Sequence, residues 1–170
     1  MSQTMIDQVP VLSMAELDKA DFAQAFGRSF QQFGFAMVRD HGMDQPLIDA
    51  GWAMAREFFA LPDTVKRRYD AKNNGGQRGY TAFGTEIAKG ASENDLKEFW
   101  HVGRDLPAGD PLAQTMPPNV WPDDMPEFKA VFAPLYREFD RVGAELLSAI
   151  ALYLDLPERW FDGPIDKGNS

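Results

Sequence analysis

From Phe128 to Tyr153 large apolar residues return every three or four positions, at Phe128, Phe132, Leu135, Phe139, Val142, Leu146, Ile150 and Tyr153. This stripe constrains the fold more than any other feature. It predicts one long amphipathic helix, opened by Asp124-Met125-Pro126, kinked at Pro134 and ended near Leu154, whose apolar side is core or interface.

Upstream elements that could cover it are short. Pro10 makes Val9–Leu12 an edge strand, and Ser13 with Glu16 forms a capping box that predicts a helix from there to Gln32, with Phe22, Ala25, Phe26, Ser29 and Phe30 on one side. Phe33 to Arg39 reads as a buried strand closed by Asp40-His41-Gly42. Asp44 caps a second helix that runs to Phe59 with Leu47, Ile48, Trp52, Ala55 and Phe59 on one face, and Leu61-Pro62 stops it. A short helix over Pro62–Tyr69 and a loop at Asn73–Gly76 follow. Arg78-Gly79-Tyr80 then begins an extended segment whose strand partner is Leu96–Val102. Between Leu106 and Pro126 the chain is irregular and pinned by Val120-Trp121-Pro122. A turn of helix past Pro157 carries Trp160 and Phe161, and the chain ends in a connector from Gly163 to Ser170.

The predicted class is therefore α+β, mostly helical with a few short strands. With no internal repeat and no Gly-Ser linker, the 170 residues read as one domain-sized unit. Such a helical layer has no complete sheet of its own to pack on, which suggests a fragment.

Composition removes whole classes of chemistry. There is no cysteine, so thiolate catalysis, iron-sulfur clusters and cysteine zinc sites are excluded. The net charge of -9, with acids spread along the chain, argues against nucleic acid as a partner, and the densest basic cluster, Lys66-Arg67-Arg68, reads as a solvated helix face. No stretch is apolar enough for a membrane span and the N-terminus has no signal-peptide pattern, so the expectation is a soluble, cytoplasmic protein without a membrane partner.

The sequence contains two histidines, His41 and His101, and neither has an acid two residues later. A 2-His-1-carboxylate iron site needs two imidazoles and a carboxylate around one metal, so neither is assigned as a ligand. His41 fits a strand-ending turn in which it bonds backbone groups, and His101 is either a packed strand residue or a pocket residue. Gly75–Gly79 lacks the Gly-Lys-Ser/Thr ending of a phosphate loop, and Asp123-Asp124 fits helix capping rather than acid-base chemistry. No catalytic residue, metal ligand or cofactor-binding residue is assigned.

Taken in order, Val9-Pro10-Val11, Phe33-Gly34-Phe35 through Asp40-His41-Gly42, Phe58–Pro62, Arg78-Gly79-Tyr80, Lys97–Trp100 and Val120-Trp121-Pro122 resemble the N-terminal region of isopenicillin N synthase-like non-haem iron oxygenases. The resemblance implies a helical region packed on a double-stranded β-helix, or jelly roll, that is largely absent from this chain. It further implies that Fe(II), held by a His-x-Asp and a distant His, and 2-oxoglutarate belong to that later part, with neither bound here. What this region would supply is one wall of a small-molecule pocket, at Gln77, Arg78, Tyr80, Thr81 and His101.

In penicillin-forming members an Arg two residues before the Gly-Tyr pair and a Tyr just after it hold the tripeptide. Gln77 and Thr81 occupy those positions here, which argues against a penicillin-type substrate, although Arg78 could pair with a carboxylate in another pose. Asp40 stands where Asn is usual before His-Gly, a change expected to affect only the turn. The parent activity implied is hydroxylation, desaturation, cyclisation, or ethylene or succinate formation, with this chain inactive alone. The residues also leave open a self-contained binding module for a small molecule or protein. A metal-independent hydrolase is weaker still, because no nucleophile-base pair can be proposed.

Overall fold

The computed structural model describes residues 8–70, 76–90 and 92–166. The predicted loop at Asn73–Gly76 lies, except for Gly76, outside the described residues, as does the connector beyond Asp166. The chain divides into two compact units, one formed by the chain up to Asp44 with the segment that begins at Glu138, the other centred on Gln45–Arg137. The long predicted helix, α4 (Glu127–Tyr153), crosses that division and contributes to both.

In the first unit, strand β1 (Val11–Ser13) pairs in parallel with β2 (Met37–Arg39), Val11 opposite Met37 and Ser13 opposite Arg39. Between them lies helix α1 (Lys19–Phe33). It starts later than the capping-box pattern predicts. Ser13 does accept from the Glu16 amide at 3.0 Å, but Ser13 is committed to β1, and the Glu16 carboxylate is drawn into an ion pair with Arg39 instead of returning to the cap. Asp18 caps α1 in its place, accepting from the Asp21 amide at 2.9 Å.

The strand predicted from Phe33 also starts later. Phe33 is the last residue of α1, and Gly34, at φ 79°, closes the helix in the left-handed conformation that glycine adopts without a Cβ clash. Asp40 takes φ 56°, a conformation that Asp and Asn tolerate, and its carboxylate accepts from the Ser13 hydroxyl at 2.5 Å. The core of this unit is Leu12, Phe22, Ala23, Phe26 and Ala149, with Leu146 and Ile150 of α4 packed against it.

The second unit opens with α2 (Gln45–Phe59), followed by α3 (Asp63–Lys66) and a 3₁₀ turn at Arg67–Tyr69. Of the predicted apolar face, Leu47, Ile48, Ala55 and Phe59 are half-buried and only Trp52 departs, at 63% exposed; Gly51 and Phe58 are the buried positions. Gly51 marks that face because a Cβ there would stand 2.8 Å from Leu135 of α4. Strands β3 (Gly79–Thr81) and β4 (Phe99–His101) pair, as predicted, and run antiparallel with Tyr80 opposite Trp100. Phe58, fully buried, touches the rings of Tyr80, Trp100 and Phe128 edge-on at 5.8, 4.8 and 5.7 Å. Burying one such side chain contributes about 1.5–3 kcal/mol.

The irregular segment after β4 contains one 3₁₀ turn, Pro111–Gln114, and is anchored where the sequence predicts: Pro122 is fully buried and Trp121 packs on Phe128. Asp124 does not cap α4. It is held by Arg68 and by the Tyr69 hydroxyl at 2.5 Å, so the helix starts at Glu127 after Pro126. The helix runs through Pro134 without interruption. Phe139, predicted for its apolar stripe, is 60% exposed. A last short helix, α5 (Asp162–Asp166), follows the turn that carries Trp160 and Phe161. Among the described residues, no helix is long and apolar enough to cross a membrane.

The glycines of α1 and α4 give opposite expectations for one substitution. A Cβ on Gly27 would collide with the Tyr153 ring, whereas nothing lies within 4 Å of one on Gly143. Gly27→Ala is therefore expected to lower stability by about 1–3 kcal/mol despite alanine's helix propensity. Gly143→Ala is expected to raise it by about 0.5–1 kcal/mol. Urea denaturation of the two variants checks the signs.

Candidate functional site

All five residues expected to face substrate lie on or beside the β3–β4 pair of the second unit, but they do not present themselves alike. Gln77 and His101 are exposed, whereas Arg78, Tyr80 and Thr81 are buried. The backbone explains the division. Gly79, at φ 84°, has the Tyr69 carbonyl 2.8 Å and the Val120 side chain 3.2 Å from where a Cβ would be, so β3 is pressed between the 3₁₀ turn and the segment after β4. Side chains on either side of Gly79 are drawn inward.

Tyr80 donates its hydroxyl to Glu98 Oε2 at 2.5 Å, and Lys66 Nζ donates to the same oxygen at 2.7 Å. Lys66 also donates to the Phe59 carbonyl at 3.3 Å and lies 3.4 Å from Asp63 Oδ1. Two hydrogen-bond acceptors and a second nearby carboxylate are what let an ammonium sit in a site only 6% exposed. The reading of Lys66-Arg67-Arg68 as a solvated face is therefore corrected for Lys66. A tight chain cannot distinguish a basic residue on a free helix face from one whose counter-charge lies 32 residues away. Burial, then the bond to Glu98, pushes the Tyr80 hydroxyl above its ordinary value.

Arg78 Nη1 donates to the Gln77 carbonyl at 2.7 Å, and its guanidinium lies so close over Gly103 that no Cβ fits there. Gly103 is held in turn by the side-chain amide of Asn119, donating its N–H to Oδ1 and accepting at its carbonyl from Nδ2, each at 2.8 Å. Sequence reasoning passed over Asn119, whose only signal is a side-chain amide in an irregular segment. His101 Nδ1 donates to the Gly76 carbonyl at 2.8 Å, because a carbonyl oxygen can only accept. Its ring packs on Phe99 at 4.6 Å.

His41 behaves as the turn reading expects. Its Nδ1 accepts from the Met43 amide at 3.2 Å, and its carbonyl accepts from Arg141 at 3.3 Å. No group of three His, Cys, Asp or Glu side chains among the described residues could hold a metal ion. The described residues therefore bring no 2-His-1-carboxylate group together.

The family described as the N-terminal region of the non-haem dioxygenase in morphine synthesis matches residues 9–124. Among solved structures, a 2OG-Fe(II) oxygenase family protein from Caulobacter crescentus is 45% identical with a TM-score of 0.84, covering 95% of this chain and 53% of that one. Among curated proteins, proline hydroxylase buaE from Petromyces alliaceus is 31% identical over 97% of this chain and 51% of its own length. The Emericella nidulans 2-oxoglutarate-Fe(II) type oxidoreductase hxnY is 27% identical over 96% and 49%. A full-length Neurospora crassa protein, solved in complex with alpha-KG and thymine, shares the fold at a TM-score of 0.76 and 23% identity, covering 95% of this chain and 53% of its own.

Fold and strand order thus define a non-haem dioxygenase N-terminal region. The chain belongs to the isopenicillin N synthase-like family of Fe(II)/2-oxoglutarate-dependent oxygenases, and it spans about half the length of the curated relatives it matches.

Removing Glu98 strands a buried ammonium, while removing the Tyr80 hydroxyl loses one hydrogen bond. Glu98→Ala is expected to cost about 3–5 kcal/mol. Tyr80→Phe is expected to cost about 1 kcal/mol. The folded chain holds the Tyr80 proton more tightly than the unfolded chain, so stability falls as pH rises past about 10, and Tyr80→Phe removes that part of the decline. Chemical denaturation between neutral and alkaline pH reads both effects.

Proposed function

We propose that this chain is the pocket-wall half of a 2-oxoglutarate-dependent oxygenase that oxidises a small molecule, with iron, cosubstrate and turnover supplied by a catalytic β-helix outside these residues. The observation that carries the reading is the match of residues 9–124 to the oxygenase N-terminal region. Relatives of about twice its length are named as 2-oxoglutarate-Fe(II) type oxidoreductases and as a proline hydroxylase, which supports the class of reaction and the small-molecule substrate.

On this reading Gln77 and His101 face the substrate, His101 offering Nε2 as an acceptor. Arg78, Tyr80 and Thr81 act from below, fixing β3 against β4 so that the two exposed side chains keep their spacing. The apolar groups left at the surface support a partner for the chain. Val11, 53% exposed, stands opposite Met37, 42% exposed, and Phe35, 51% exposed, is two residues before it. A two-stranded parallel pair with an uncovered face is not a stable unit in isolation, because parallel sheets are ordinarily covered on both sides.

Anaerobic calorimetry with ferrous iron tests the division of labour. The isolated chain is expected to show no stoichiometric site. Tight one-to-one binding that is lost on His41→Ala or His101→Ala would contradict it.

A further inference from the structure

The two exposed residues of the wall, Gln77 and His101, belong to one ring of contacts. From His101 the ring passes through Nδ1 to the Gly76 carbonyl at 2.8 Å, and along the chain to Gln77. The Gln77 carbonyl accepts from Arg78 Nη1 at 2.7 Å, and the Arg78 guanidinium occupies the place where Gly103 would carry a Cβ. Gly103 stands two residues past His101, so the ring closes on itself.

Asn119 fastens this ring to the segment that leads into α4. Gly103 is buried and lies beyond the last pair of the β3–β4 ladder, Gly79 opposite His101, so its peptide groups need partners from elsewhere. Asn119 supplies both: Oδ1 accepts the Gly103 N–H and Nδ2 donates to the Gly103 carbonyl, each at 2.8 Å. A neighbouring strand would offer the same acceptor and donor side by side. Nδ2 also donates to Asp105 Oδ1 at 2.7 Å. Just beyond the clamp, Trp121 packs on Phe128 and Pro122 is fully buried, which seats the anchor in the core.

We infer that Asn119 is a positioning residue for the substrate wall: by clamping Gly103 it seats the Arg78 guanidinium and, through the ring, sets the spacing of Gln77 and His101. What the wall faces rests on the oxygenase reading; how it is held rests on the hydrogen bonds alone. The clamp needs a primary amide, because it must offer one acceptor and one donor. A carboxylate there would keep the acceptor for the Gly103 N–H but set its second oxygen against the Gly103 carbonyl and Asp105. A neutral carboxyl group would regain the donor. Asp105 favours that neutral form, and the Arg78 guanidinium on Gly103 opposes it.

NMR of the ¹⁵N-labelled full chain tests this through the His101 tautomer, read from the two-bond imidazole spectrum, and through amide exchange protection at Gly103. The native chain is expected to hold the Nδ1–H tautomer and a protected Gly103. At about pH 7.5, Asn119→Asp is expected to lower Gly103 protection about tenfold and to shift His101 toward the Nε2–H tautomer. As pH falls to about 5, Asn119→Asp is expected to regain Gly103 protection while the native chain gains none. Gly27→Ala, destabilised in the other unit, controls for a merely structural effect and is expected to keep the native tautomer. A native His101 tautomer in Asn119→Asp, an equal tautomer shift in Gly27→Ala, or no regain of protection at low pH would each overturn the assignment. No iron, cosubstrate or substrate enters these measurements, so they fail separately from the oxygenase reading, which the ferrous iron titration tests.

Discussion

Glu98 brings a negative charge into the interior of the second unit, and that unit closes around it. Lys66 reaches it from the end of α3, Tyr80 from β3, and Glu98 itself directly precedes β4. A buried ion pair of this kind adds little net stability over an apolar replacement, because both charges lose their hydration. What it can fix is register. Tyr80 has its hydroxyl satisfied only when it stands opposite Trp100, and a slip by one residue would turn Gln77 and His101 to the wrong face. The rings around Phe58 supply the apolar stabilisation, and the charge network selects one arrangement of them.

Much of this was legible in the sequence because it depends on local signals. The period from Phe128 to Tyr153 marked α4, Leu61-Pro62 marked the end of α2, and Leu96–Val102 was marked as the strand partner of the segment that begins at Arg78. The misses share a cause, which is that a distant partner overrode a local preference. Glu16 could have completed the cap of Ser13, but Arg39 holds it; Asp124 could have capped α4, but Arg68 and Tyr69 hold it. Lys66 looked solvated because Glu98 is remote in sequence. Trp52 was placed on the buried face of α2 by its spacing, although the turn that packs is marked by Gly51, where Leu135 leaves no room for a side chain.

The candidate site was legible as a location and less so as a set of roles. Gln77, Arg78, Tyr80, Thr81 and His101 do gather on one strand pair, yet burial separates those that can meet a ligand from those that position them. Alternation alone would not have made that division. β3 is buried along its whole length, so the two faces of the strand are not distinguished by solvent, and the outward residues are found at its approach and on its partner. The single carboxylate that orders β3 and β4 thereby links the core to the surface that carries the proposed substrate wall.

The central claim is that this region shapes a pocket whose chemistry resides elsewhere in an oxygenase. It is tested most directly by joining the chain to the part of the Caulobacter crescentus relative that it does not match, and by measuring iron-dependent release of succinate from 2-oxoglutarate. The account predicts release by the fusion and none by the chain alone. Succinate release by the chain alone, under the same iron and 2-oxoglutarate, would contradict it.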